Sequence, residues 1–352
     1  MKSKCLFLFT MLLVFSCQNS TDEVNSLTSN ISIESYKPLL GKEVKAFGEG
    51  CFRQIEVIDS VMVLLDPCLV EQFQLYSLSG SPINSFGRDG DGPNEFKLPS
   101  IKYEEDGGIW VHDINKSRFK YFDRENILTG EGYPTEEVLI PTGLIDDSNL
   151  IRFADSVFIG ANNTEGKGNF FFFNTQTEVK DWSPFHPKVT NEPIEKKRPT
   201  LYEGKLVFEP QKRLLVKAYQ FFNQLSIYNM EGELQKDIIF GDALDPDFSQ
   251  PSKWFVPDVV VYAFLDVKVT SEAIYGLYSG LRQNEYLTEE GYPNSGLNKS
   301  YLFIVNWDGE LIKAYELDKY LRSFDLDKNN SIYGIAEDDS LGVKKVYKFD
   351  LK

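Results

Sequence analysis

The sequence predicts an all-β chain whose sheets close into a ring: a six-bladed β-propeller of four-stranded antiparallel blades. Three observations predict it. The 352 residues include 27 Phe and 18 Tyr, and aromatic side chains suit pleated, half-buried surfaces better than helices. No long stretch beyond the N-terminal leader carries the 3.6-residue apolar period of a helix bundle. A strand–turn–strand–strand unit recurs at intervals of about 45 residues, the size of a propeller blade.

The leader comes first in the chain. Lys2 and Lys4 precede an apolar run from Leu6 to Phe15, and Ser16-Cys17 follows. A basic start, a short apolar run and a small residue before the cut form a secretory signal. The run is too short to span a bilayer as a mature helix. Val14-Phe15-Ser16-Cys17 resembles the lipobox of bacterial lipoproteins, which implies residues 1–16 as signal peptide and Cys17 as the lipidated residue. Residues 17–30, polar and without aromatics, read as a flexible tether, and residues 31–352 as the propeller.

Residues 31–47, with extended-looking pieces ISIESY and EVKAF, match no copy of the unit. The sixth copy ends after its third strand, leaving an open edge. Residues 31–47 are therefore expected to pair there and close the ring. Next, residues 53–59 and 61–67 read as a hairpin around Asp59-Ser60, whose register places Cys51 opposite Cys68 at a non-hydrogen-bonded pair. An oxidising compartment allows a disulfide there; two free thiols packed as small hydrophobes are the alternative.

The clearest copy of the unit runs from Phe86 to Arg124: a Gly-rich turn, then strands at residues 101–103, Ile109–Asp113 and Arg118–Phe122. Second strands of the six copies read VMVLLD, GIWVHD, SVFIGA, RLLVKA, AIYGLY and SIYGIA. Their apolar runs fit inner strands covered on both faces. Fourth strands follow as PINSFG, ILTGE, EVKDW, ELQKDIIF and ELIKAYEL. With its Gly-rich lead FGRDGDGPNEF, Pro99 and IWVHD, this stretch resembles an NHL-type repeat and the signature loop of TolB-like six-bladed propeller lipoproteins of bacteria. That resemblance implies the propeller fold and a lipid-anchored place in the cell envelope. It leaves function open, since such propellers bind proteins, peptides or glycans or act as lyases and lactonases.

In an antiparallel blade, the exit from the fourth strand and the second-to-third connection leave from one end. The long insertions, residues 183–200, 242–258 and 282–299, are all of these kinds, and residues 89–99 join them. Turns of a few residues are expected at the other end. Long loops cluster where proteins bind, so the candidate ligand-binding residues are Trp254, Phe255, Arg282, Tyr286, Tyr292, His186 and Arg88. Equally, these aromatics can serve to pack the loops onto the blades.

Chemistry is sparsely signalled. The chain has two histidines, His112 and His186, too few for a zinc site with three protein ligands or a well-supplied serine triad. His112, ending a second strand, reads as a core or rim residue. Asp89-Gly-Asp91-Gly and Asp325-x-Asp327-x-Asn329 lack the closing glutamate of a calcium loop and read as turns. No metal and no cofactor are expected. A net charge of −16 disfavours nucleic acid. The expected protein is a monomeric, envelope-anchored binding module for a protein, peptide or glycan, on the periplasmic side or surface of an outer membrane. A carboxylate-dependent hydrolase or lyase at the channel mouth and a scaffold subunit of an envelope complex are the alternatives.

Overall fold

The computed structural model describes residues 27–351 apart from 50, 93, 104–106, 130–131, 145–149, 155, 162–164, 192, 194, 250–255, 258, 287–296, 298 and 339–342. Six sheets, each of three to four consecutive antiparallel strands, form a six-bladed β-propeller. Blade 1 is built from Gln54–Ile58, Val61–Leu65, Glu71–Ser77 and Pro82–Asp89, with the short Glu95–Phe96 alongside the last. Blade 2 comprises Pro99–Tyr103, Ile109–Asp113, Arg118–Phe122 and Glu136–Leu139, and blade 3 Leu150–Ala154, Val157–Ala161, Phe170–Asn174 and Val179–Trp182. Blade 4 comprises Gly204–Glu209, Leu214–Tyr219, Gln224–Tyr228 and Leu234–Phe240, and blade 5 Val261–Val269, Ala273–Arg282, Ser300–Asn306 and Leu311–Leu317. Blade 6 supplies only Leu321–Leu326, Ile332–Asp338 and Val343–Phe349 from its own repeat.

The ring is closed by the N-terminal segment. Its third strand, β3 (Lys42–Glu49), runs antiparallel to Val343–Phe349 and becomes the fourth strand of blade 6. Val44 and Phe47 then pack on the apolar cluster shared by blades 6 and 1. The rest of the segment departs from expectation. β1 (Thr28–Ile31) adds in parallel to the outer strand of blade 4, and β2 (Lys37–Leu39) to that of blade 5. ISIESY therefore does not pair at the seam, and Thr28–Asn30, read as tether, lie in strand. Ile31 explains the capture: it is 7% exposed, in the cluster that joins blades 4 and 5. Blades 1, 4 and 5 thus carry five strands rather than four.

A second departure lies in blade 2, at the end expected to hold only tight turns. Residues 127–131 were expected as its fourth strand, but a helix, Arg124–Thr129, precedes the actual strand Glu136–Leu139. Asp123 starts the helix by accepting the Asn126 N–H at 2.8 Å, as a capping carboxylate does. Ile127, 1% exposed, joins the core between blades 1 and 2 and fixes it there.

Each blade interface has its own apolar cluster. Between blades 3 and 4 its fully buried members are only Ile159, Phe170, Leu215 and Tyr228. Partly buried Ile151, Phe153, Phe172, Leu206, Phe208, Met230 and Leu234 pack around them, and a group of polar side chains shares the interface.

Candidate functional site

The long connections between blades 3 and 4 and between blades 4 and 5, with the helix Gln283–Tyr286, converge on one aromatic cluster. Leu201, Tyr202, Phe221, Phe222, Phe248, Val260 and Tyr262 are buried together there, with Phe185 and Tyr286 against them. The Tyr286 ring lies 4.4 Å from Tyr262 and 6.2 Å from Tyr320, so it packs its loop onto blades 5 and 6. Arg282 is exposed, and its backbone N–H donates to Glu285 Oε2 at 2.8 Å. Trp254, Phe255 and Tyr292 lie outside the described residues, as does Cys17.

The other two candidates stand elsewhere. Arg88, on the outer strand of blade 1, is exposed and faces Glu71 at 3.4 Å. His186 sits in a cleft of about 380 Å³ between blades 3 and 4, among Phe172, Trp182, Phe185 and Tyr228. The predicted residues therefore occupy three places, because the residues 183–203 connection runs along the blade 3–4 boundary before reaching the loop cluster.

Behind His186 lies the polar part of the interface. Its Nε2 donates to Asp237 Oδ2 at 2.7 Å; Asp237 Oδ1 accepts from Ser226 Oγ at 2.6 Å and Gln224 Nε2 at 2.7 Å. Deeper still, the Tyr219 and Tyr228 hydroxyls are 2.9 Å apart and both receive Asn169 Nδ2. Lys217 Nζ donates to the backbone and side-chain oxygens of Asn169, each at 2.7 Å. Burial pushes the Lys217 amine down to about 7, with Glu203 pulling the other way. His112, by contrast, is buried in blade 2 and stacks on Phe119 at 4.7 Å.

The axis holds a cluster that sequence reasoning missed. Lys268, from the first strand of blade 5, reaches Glu56 of blade 1 at 2.6 Å and Asp325 of blade 6 at 3.6 Å. Asp325 Oδ2 also accepts the Val57 N–H at 2.7 Å, and Asp266 Oδ2 accepts from Ser323 Oγ at 3.2 Å. Burial pushes the Glu56 carboxyl up to about 8, against the pull of Lys268 and aided by Asp325 and Asp266. Burial would lower Lys268, but the Asp325 and Glu56 carboxylates outweigh it and hold the ammonium charged. Burial, with Lys205 nearby, pushes Lys102 down to about 8. A signal was present: QIEVI, VYAFLDVKV and LRSFDL each set an acidic residue between apolar neighbours in a first strand.

Cys51 and Cys68 are joined by a disulfide, with Cα atoms 5.6 Å apart. The hairpin pairs Gln54 with Leu65 and Ile58 with Val61. Buried Asp66 accepts the backbone N–H groups of both cysteines.

Two crystal structures share the architecture. A protein of Bacteroides fragilis described as exported is 11% identical, covering 93% of this chain and 99% of its own, with a TM-score of 0.55. A member of the DUF4221 family from Bacteroides vulgatus is 12% identical over 90% of this chain and 96% of its own, at 0.59. Both likenesses show the fold. No curated protein matches the sequence. Residues 46–329 match the family described as TolB-like 6-blade propeller-like, and with six blades around one axis the chain belongs to that family.

Proposed function

We propose that the protein is a lipid-anchored binding module of the cell envelope that recognises a partner protein, peptide or glycan at its long-loop end. One observation supports this reading: the described parts of the connections between blades 3 and 4 and between blades 4 and 5, with the helix Gln283–Tyr286, share a single aromatic cluster. A preorganised surface loses less entropy on binding. The axis argues in the same direction, since Lys268 ties blades 1, 5 and 6 together across it. The leader pattern, the Cys51–Cys68 disulfide and the exported description of the Bacteroides fragilis protein support an extracytoplasmic place. Among the described residues no helix is long and apolar enough to cross a membrane; the leader pattern makes Cys17 the proposed attachment.

Two measurements test this. Cys17→Ala should move the protein from the membrane to the soluble fraction; unchanged retention would remove the anchor from the proposal. A photo-crosslinker at exposed Arg282 should capture an envelope partner, whereas one at Asp308, in a turn at the opposite end of blade 5, should not. Equal capture at both would dismiss the long-loop end as the recognition surface.

The axial carboxyls favour a second reading, a hydrolase or lyase, because a carboxyl raised by burial, as Glu56 is, suits general-acid work. The ammonium bonded to Glu56 weighs against it.

A further inference from the structure

The first strand of each blade turns its free edge to the axis, where every second backbone amide lacks a ladder partner and must find another acceptor. In three blades the protein supplies that acceptor. The Ile101 N–H of blade 2 donates to Gln54 Oε1 at 2.9 Å, the Val267 N–H of blade 5 to Asp266 Oδ1 at 3.0 Å, and the Phe324 N–H of blade 6 to Asp266 Oδ2 at 3.4 Å. Blade 4 differs. Gln220 N–H donates to the Glu203 carbonyl, so the odd-numbered residues of Gly204–Glu209 carry the ladder and the Leu206 N–H faces the axis. Register sets Leu206 level with the other three amides. The residues that follow them, Val207, Lys102, Lys268 and Asp325, pair with Val216, Trp110, Tyr275 and Tyr333, each of which packs toward the next blade. Among the described residues no oxygen meets the Leu206 N–H.

Two lysines stand at the same place. Lys205, beside Leu206, is exposed, and Lys102 is half-buried. The charges that act on the Lys102 amine are Lys205 of blade 4, Glu56 of blade 1, and Lys268 and Asp266 of blade 5, with Lys205 the strongest. Only the axis brings those blades within reach of one side chain. Neither Lys102 nor Lys205 has an ion pair or hydrogen bond among the described residues, because the carboxylates around them are engaged. Glu56 holds Lys268, and Asp325 takes Lys268 and the Val57 N–H. Asp266 accepts from the Ser323 hydroxyl and two amides. Glu203, one step toward the loop end, lies near both Lys205 and Lys217 and is pushed toward its neutral form by burial. Two like charges and an unmet N–H therefore share one stretch of the axis. A negative oxygen satisfies all three, whereas a cation adds a third positive charge.

We propose that the axis binds an oxyanion beside blade 4, held between Lys102 and Lys205 and accepting a hydrogen bond from the Leu206 N–H. The group can be free phosphate or the carboxylate of a small organic acid; both present the charged oxygens that this stretch lacks. The site stands apart from the aromatic cluster of the long loops, and its failure would leave that surface untouched.

The test titrates the mature chain with sulfate, inorganic phosphate and glucuronate by calorimetry, against chloride at equal ionic strength. Saturable binding in about the millimolar range is expected, and the order of phosphate and glucuronate tells the source. Lys102→Met and Lys205→Met each remove one of two like charges, so both should keep a cooperative melt and bind at least tenfold more weakly. Lys102 is charged only below about pH 8, so sulfate binding by the parent should fall several-fold between pH 6.5 and 9.5. Lys102→Arg, whose guanidinium stays charged, should hold its affinity across that range; a purely structural lysine would not give this rescue. Undiminished binding by the folded Met variants would overturn the assignment. So would a response to all three anions no greater than that to chloride, or tighter binding of spermidine than of any of them.

Discussion

Lys217 shows how one residue links burial to a measurable property. It is 0% exposed, and its amine is held near 7 rather than 10.5 because burial disfavours the charged form. Between those values the unfolded chain binds more protons than the folded one, so this residue makes stability rise with pH from about 7 upward. Lys217→Met should flatten that part of the profile, as read from denaturant midpoints between pH 7 and 10. Lys268 is the opposite case, a buried cation that its neighbours require. Lys268→Met leaves Glu56 and Asp325 facing each other without a counter-charge and should destabilise the protein by about 3–5 kcal/mol at pH 7. The loss should shrink in a Glu56→Gln background; an equal loss in both backgrounds would mean that lost packing, not charge, is responsible. Neither lysine was legible as special in sequence. A charge within an apolar strand reads the same whether it meets a neighbouring blade, as Lys217 does, or the axis, as Lys268 does. Only the closed ring brings Glu56 and Lys268 together, across a separation of 212 residues.

At the scale of elements, the N-terminal segment does two separable things. β3 completes blade 6, whereas β1 and β2 lie as added outer strands on blades 4 and 5. Removing residues through Leu39 should leave a closed ring that melts somewhat lower, since burying Ile31 is worth about 1.5–3 kcal/mol. Removing residues through Glu49 exposes the Val343–Phe349 edge and should abolish the cooperative transition or drive association through that edge. Circular dichroism melting of the two truncations distinguishes these roles. The pairing of β3 was readable from the missing fourth strand of the last repeat. Those of β1 and β2 were not, because three or four residues with no turn or alternation carry no register. Pro38 is the exception in kind: lacking an N–H, it belongs on an outermost strand, which is where β2 lies. The Cys51–Cys68 pairing was legible for a different reason, since a two-residue turn fixes every opposite pair in its hairpin. The helix Arg124–Thr129 escaped notice because Asp123 is an ordinary turn residue until its carboxylate is seen capping Asn126.

For the whole molecule, the recurring unit made the ring legible, while the function rests on how its parts are gathered. His186, Arg88 and Tyr286 looked alike as residues on or near long connections. The ring sends them to a cleft, an outer strand and a packed platform. Where the chain joins that ring has a mechanical consequence. The Leu27 carbonyl accepts the Asp237 N–H at 2.7 Å, on the outer wall beside the blade 3–4 cleft. From there, about ten residues lead back to Cys17, spanning at most about 35 Å when fully extended. A lipid at Cys17 would stand the molecule on its rim, like a wheel on a road, rather than laying it flat like a coin. A fluorophore at Glu231 should then be quenched by headgroup-borne quenchers more strongly than one at Ile83, on the outer strand of blade 1. Both hubs of the wheel would face sideways along the membrane, open to neighbours standing in the same plane.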